Sequence, residues 1–184
     1  MMDYTNKPIN ELRRKDRGKD ELWIKDFLNR APYGVLATEN GGQPFINTNL
    51  FVYDEDSQAI YLHTAHVGRT RINVEANPRV CFSASEMGRL LPADEAIESS
   101  VEYSSVIVFG RASVITDEQE AKLGLQLLMD KYLPHLRPGS DYRPTSEDDL
   151  KLTAVYRIDI ESWSGKQKKA PDDFPGAFFY SEMG

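Results

Sequence analysis

Polar and apolar positions alternate with period two over several stretches of this chain and recur at helical spacing over three others. In Leu22-Trp23-Ile24-Lys25-Asp26-Phe27-Leu28, Trp23 and Phe27 are four apart, as are Ile24 and Leu28, which predicts one apolar helix face. Asp20 stands where its carboxylate can accept from the helix's first free amides, and Pro32 and Gly34 mark the end. Gly34 to Thr38 predicts a strand, Asn40-Gly41-Gly42 a tight turn, and Pro44 to Tyr53 the return strand, since Asn-Gly supplies the positive φ that such a turn needs. Along the return strand Phe45, Asn47, Asn49 and Phe51 share one face, while Ile46, Thr48, Leu50 and Val52 share the other. Amides on a buried face need partners, so Asn47 and Asn49 stand out.

Asp54 to Ser57 predicts a second turn, and Ala59 to Thr64 a third strand. Gly68 to Ala76 follows as a helix, which Asn77-Pro78 breaks. Arg79 to Ala84 predicts a short buried strand, 86–99 a loop, and Tyr103 to Ile115 a long strand in which Gly110 marks a bulge. Thr116 and Gln119 have the spacing of a capping box, opening a helix with Ala121, Leu125, Leu128 and Tyr132 on one face. A long loop over 134–150 leads to the last strand, Leu152 to Trp163. Strands and helices do not alternate as in a doubly wound sheet, so the expected fold is mainly β: a six-stranded antiparallel barrel with peripheral helices. Side chains fill so small a barrel, and a large cofactor would lie outside it, in a groove completed by a second subunit.

The length of 184 residues predicts one domain with appendages: a basic N-terminal arm at 1–19, a barrel domain at 20–169 and a tail at 170–184. A net charge of −7 argues against non-specific binding of nucleic acid, although Lys7, Arg13, Arg14, Lys15, Arg17 and Lys19 concentrate positive charge near the start. That basic run suits a phosphorylated ligand or a partner subunit; a solvated terminus is the plainer reading. Cys81 is the one cysteine, which excludes an intramolecular disulfide and suits a reducing compartment. No apolar run approaches the roughly 20 residues that span a bilayer, and Met1 to Glu11 is polar, so no membrane and a cytoplasmic location are expected. His66 and His135 have no ligand-like spacing with His63 or Cys81, so no metal is expected either, and Ser104 and Ser105 lack His-Asp partners for nucleophilic catalysis.

Chemistry concentrates in Ala59 to Phe82, AIYLHTAHVGRTRINVEANPRVCF. Arg69-Thr70-Arg71 opens a helix, where free amides and arginine side chains together suit a phosphate; surface arginines are the plainer alternative. There is no Walker sequence and no G-x-G-x-x-G. His63 has a structural alternative as a satisfied histidine, Trp163 as a cap on the barrel, and Cys81 as packing between Val80 and Phe82.

Several segments, in order, resemble the pyridoxamine-phosphate-oxidase-like FMN-binding split barrel, and within it the 5-nitroimidazole-resistance branch. They are LRRKDRG at 12–18, GVLAT at 34–38, IYLHTAHVGR at 60–69, NPRVCF at 77–82, SSVIVFGRASVITDEQE at 104–120 and VYRIDIESWSGKQKK at 155–169. The resemblance implies a flavin along Asn47, Thr48 and Asn49, with its ribityl chain beside Leu62, His63, Thr64 and Ala65. It implies a phosphate grip at Arg69 and Thr70, where Thr70 replaces the usual lysine and Arg71 stands one place on. It also implies Trp163 and Lys166 reaching the ring from the other subunit of a homodimer.

The function expected on that basis is a flavin-dependent oxidoreductase, holding FMN or FAD. It would pass electrons from a nicotinamide donor to an electron-poor acceptor of nitroaromatic type, with His63 as the candidate catalytic residue. Oxidation of pyridoxamine phosphate ranks lower, because no further arginine-rich motif marks a pocket for a second phosphate. A carrier or sensor without turnover is the alternative from another class, holding flavin or, through His63 as axial ligand, haem.

Overall fold

The computed structural model describes residues 5–183. A 3-10 turn at Lys15–Arg17 leads into a two-residue strand, β1 (Gly18–Lys19), and helix α1 (Glu21–Arg30). Asp20 caps α1 by accepting from Trp23 N at 2.9 Å, and Ile24, Phe27 and Leu28 turn inward. Strands β2 (Gly34–Asn40) and β3 (Gln43–Asn49) make the expected hairpin, with Gly41 and Gly42 at φ of 62° and 82° in the turn.

The return strand then departs from the pattern read in the sequence. It breaks at Leu50, and β4 (Phe51–Asp54) pairs with β5 (Ala59–Ala65) instead of with β2. Leu50 is exposed, while Phe51, Val52 and Tyr53 are all buried. Burial of three consecutive residues is possible here because Val52 meets the helix layer and its neighbours meet the barrel interior.

Helix α2 (Arg69–Ala76) leads to two long strands, β6 (Arg79–Leu91) and β7 (Ser100–Val114). Helices α3 (Glu118–Tyr132) and α4 (Glu147–Leu150) precede the last strand, β8 (Thr153–Lys168). The sheet runs β3-β2-β6-β7-β8-β5-β4, with β1 beside β8. Its terminal strands, β3 and β4, are joined through Leu50 alone, so the sheet must roll until its edges approach, which makes a split barrel.

The sheet has eight strands where six were expected: the return strand counts twice, and β1 is added. Other boundaries differ too: residues 147–150 of the expected loop form α4, and β7 begins at Ser100, ahead of Tyr103. Residues 86–91 continue β6 instead of forming a loop, β8 extends to Lys168, and the cap of α3 is Asp117, not Thr116. Gly110 does mark a bulge: the β7–β8 register shifts there, and a Cβ would lie 2.1 Å from the Asp159 carbonyl oxygen. Phe51, Leu62, Phe82, Val106, Val108 and Tyr156 fill the interior, with the Phe51 and Phe82 rings edge to face at 4.8 Å.

Candidate functional site

Three segments meet at one end of the barrel: β3, the end of β5 and the start of α2. β3 is a sheet edge, so every second N–H and C=O along it has no ladder partner. Its Asn47 Nδ2 donates to Asn49 Oδ1 at 3.3 Å and to Thr70 Oγ1 at 3.4 Å, and Asn49 Nδ2 donates to the Asn47 carbonyl at 3.0 Å. Thr70 is buried, so its hydroxyl ties α2 to β3 and does not face solvent. One turn on, the buried Asn73 donates to Thr38 Oγ1 at 2.9 Å, and its Oδ1 has no partner among the described residues. A polar seam thus joins α2 to the β2–β3 hairpin. Sequence reading missed Asn73 and Thr38, although Asn73 lies three residues after Thr70 on the same helix face.

The N-terminus of α2 is bare. Gly68, at φ 149°, offers no side-chain cap, the first turn holds no acid, and the space beside Gly68 is open. Exposed Arg69 begins the helix and makes no hydrogen bond or ion pair with the described residues. Arg71 is committed elsewhere: Nε donates to Glu75 at 2.7 Å, and Nη1 donates to the His66 carbonyl at 3.1 Å and lies 3.0 Å from His66 Nε2. Arg71 and His66 line a separate groove of about 460 Å³ under α3 and α4, where charges of both signs mix.

On β5, Leu62 is wholly buried, paired with Phe51 of β4 on one side and Tyr156 of β8 on the other. His63 and Ala65 are exposed, opposite Val155 and Thr153 of β8. Desolvation lowers the His63 pKa below the ordinary histidine value, so the ring is neutral near pH 7. Thr64 Oγ1 donates to the Ala65 carbonyl at 3.0 Å and lies 3.2 Å from Tyr156 Oη.

Trp163 and Lys166 are not part of this grouping within one chain. Thr153 pairs with Ala65, and Trp163 is ten residues further along β8, roughly 33 Å of extended strand. Trp163 packs against the core, edge to face with Tyr53 at 5.9 Å. Lys166 lies over the Tyr103 ring at 5.5 Å.

The outside of the sheet is unusual. Strand pairing lines up two rows, Ile46–Ala37–Cys81–Phe109–Ser162 and Thr48–Val35–Ser83–Ile107–Ser164. None of these ten residues is charged, in a chain that is 28 % charged, and Ile46 is 67 % exposed. Cys81 therefore lies on this outer face and not in the interior, and burial raises its thiol pKa. Among the described residues no group of three or more His, Cys, Asp or Glu could hold a metal ion, and no helix is long and apolar enough to cross a membrane.

No curated protein matches the chain. Solved structures do: the flavocytochrome Anf3 of Azotobacter vinelandii is 24 % identical at a TM-score of 0.75, over 94 % of this chain and 76 % of that one. The FAD and heme binding protein of Mycobacterium smegmatis is 20 % identical at a TM-score of 0.74, over 84 % of this chain and 74 % of that one. A candidate 5-nitroimidazole antibiotic resistance protein of Bacteroides thetaiotaomicron is 20 % identical at a TM-score of 0.66, over 81 % of this chain and 84 % of that one. These likenesses establish the split-barrel fold. The family model described as pyridoxamine 5′-phosphate oxidase matches residues 20–167, most of the chain, and the chain belongs to that family.

Proposed function

We propose that this chain is a flavin-dependent oxidoreductase working as a homodimer, which takes electrons from a nicotinamide donor and gives them to an electron-poor acceptor of nitroaromatic type. The observation that carries the proposal is Arg69, without a partner among the described residues, at the bare N-terminus of α2 and beside the polar edge strand β3. The donor set fits a flavin nucleotide. Arg69 and the first amides of α2 would hold a phosphate, Thr64 and Ala65 would flank the ribityl chain, and Asn47, Thr48 and Asn49 would line the ring. Thr70 keeps Asn47 in place from behind, and Arg71, already bonded to Glu75 and His66, would add little. Arg69, without a partner among the described residues, suits the single phosphate of FMN; FAD carries a second.

The flavin, when bound, supplies the electron transfer. The chain's own residues bind it, orient it and exclude water. His63 stands beside this groove with a neutral imidazole, able to hold a proton at one ring nitrogen and hand it to a reduced acceptor. The ten uncharged outer positions would pack on a second copy, whose Trp163 and Lys166 would complete the site.

A second reading, a haem-holding carrier, is favoured by the exposed, neutral His63, a competent axial ligand, and by two structural relatives described as a flavocytochrome and as a FAD and heme binding protein. The absorption spectrum of the purified protein separates the two, since a flavin and a haem have distinct bands. Flavin titration of Arg69→Ala then tests the site. A loss of about 1.5–3 kcal/mol is expected for a charge-assisted hydrogen bond, and unchanged affinity would remove Arg69 from it.

A further inference from the structure

The strand proposed to line the flavin ring is held in place from outside its own hairpin. Along one side β3 pairs with β2; along the other it has no strand neighbour. Asn49 is the last residue paired with β2, opposite Gly34, and Phe51 already opens β4 opposite Leu62. The chain thus crosses the split through Leu50, which is 51 % exposed, so packing of that side chain does little to hold the crossover. β4 is the other terminal strand of the sheet, and its outer N–H and C=O groups also lack a ladder partner.

A phenol supplies the missing partner. Tyr132, the last residue of α3, accepts from Phe51 N at 3.0 Å and donates to the Phe51 carbonyl at 2.9 Å. In an antiparallel ladder one residue's N–H and C=O point to the same side, and an opposing residue takes both. Here a single hydroxyl takes both. Burial raises the Tyr132 pKa above the ordinary tyrosine value, so the group keeps its proton and can both donate and accept near neutrality. Its ring packs against the cluster of Val52, Ala59, Tyr61 and Leu128, which fixes where the hydroxyl stands.

The preceding residue strengthens the attachment. Lys131 Nζ donates to the Leu28 carbonyl, in the last turn of α1, at 3.0 Å and lies 3.8 Å from the centre of the Phe51 ring. Burial lowers its pKa to about 8, and no carboxylate among the described residues lies in ion-pair range. The carbonyl and the aromatic face offset part of the cost of desolvating that ammonium, so the end of α3 is fastened to both α1 and β4.

We propose that Tyr132 is a positioning residue: by clamping Phe51 it sets where Asn47, Thr48 and Asn49 lie against the flavin ring. β3 then has two anchors outside its hairpin, Thr70 at Asn47 and Tyr132 two residues past Asn49. Two residues of strand span roughly 7 Å, and a binding group must be held within about 0.5 Å of its productive place, so play at Phe51 is felt at Asn49. The inference rests on the flavin reading of β3. The hydrogen bonds of Tyr132 itself reach none of the residues assigned to the cofactor.

Tyr132→Phe keeps the ring and removes the hydroxyl. Leu128→Ala, one turn earlier on α3, loosens the helix and leaves the phenol intact, so it serves as the comparison. Both variants should lower Tm. Flavin titration of Tyr132→Phe should show roughly tenfold weaker binding, the order of one net hydrogen bond. At saturating flavin its midpoint potential should also move, because displaced β3 groups no longer favour the two redox states of the ring in the same ratio. Leu128→Ala should show neither change. Hydrogen exchange of the flavin-free proteins reads the clamp without the cofactor: the amides of Phe51 and of the Gly34–Asn49 end of the hairpin should exchange roughly tenfold faster in Tyr132→Phe. A flavin-loaded protein whose affinity and potential survive Tyr132→Phe overturns the proposal. Equal losses in Leu128→Ala overturn it too, since they mark the phenol as ordinary packing. A wild-type protein that takes up no flavin, with the exchange difference present, sinks the flavin reading alone and leaves the clamp on β3 standing.

Discussion

Glu102→Gln probes the ion pair that fastens the C-terminal segment to the extended end of β6 and β7. Glu102 is 8 % exposed and its carboxylate collects four donors. Oε2 accepts from Arg89 N at 3.2 Å and Nε at 3.0 Å; Oε1 accepts from Arg89 Nη2 at 2.8 Å and Ala170 N at 2.8 Å. Arg89 spends its remaining donors on the carbonyls of Pro171 at 3.0 Å and Asp172 at 2.9 Å. An amide keeps one oxygen and turns an NH2 toward two of the four donors, leaving the Arg89 charge uncompensated. Breaking a fully buried pair costs about 3–5 kcal/mol; the 15 % exposure of the Arg89 side chain lets water recover part of that, so about 2–4 kcal/mol is expected.

At this chain length the loss corresponds to a fall in Tm of roughly 4–16 °C. Urea unfolding measures it, and limited trypsin digestion should show faster cleavage near Lys168 and Lys169 as the segment lets go. The hydrogen bond from Arg89 holds the Glu102 pKa down at about 2, below its unfolded value. Its stabilisation is therefore complete above the unfolded carboxylate range near about 4.3 and is lost as pH falls toward the folded pKa. Glu102→Gln should flatten that acid limb. A variant with wild-type stability at pH 7, an unchanged acid limb and an unchanged digestion pattern would refute the reasoning.

Three further outcomes are expected. Arg71→Ala should weaken flavin binding less than Arg69→Ala, because its guanidinium is bonded to Glu75 and His66; equal losses in flavin titration would show that both arginines grip. His63→Gln should keep flavin stoichiometry but slow nitro reduction by roughly 10²-fold per bound flavin if the imidazole donates the proton. Because desolvation lowers the folded His63 pKa, its unfolded form binds protons first and stability falls as pH drops through about 6.5; the variant should lose that slope, and an unchanged rate and slope would free His63 of both roles. Ile107→Glu places a charge in the middle of the uncharged outer rows, and light scattering should then report the 20.9 kDa monomer in place of twice that mass; a dimer that survives would move the interface elsewhere.

Much of the fold was legible because its signals act over a few residues. The Asp20 cap, the Asn40-Gly41-Gly42 turn, the Gly110 bulge and the break at Asn77-Pro78 each depend on local sterics or one nearby hydrogen bond. What the sequence left open was decided by pairing between distant segments. Pro44 to Tyr53 alternates as one strand, yet the pairing of Phe51 with Leu62 and of Asn49 with Gly34 splits it at Leu50 and closes the barrel. Residues 86–91, with Gly88 among them and Pro92 just after, read as loop; pairing with distant β7, the grip of Arg89 on Glu102 and the Leu90–Phe178 bridge make them strand.

The candidate site divides the same way. Arg69 at a helix start was readable as an anion position. Thr70 turning inward to Asn47 and Arg71 being taken by Glu75 were not, because each depends on where the barrel brings side chains remote in sequence or around a helix turn. Sequence alone determined which residues carry charge, donors and turn chemistry; the tertiary structure decided which of them are neutralised by a neighbour and which are left free to bind, since burial and pairing are properties of contacts and not of residue types.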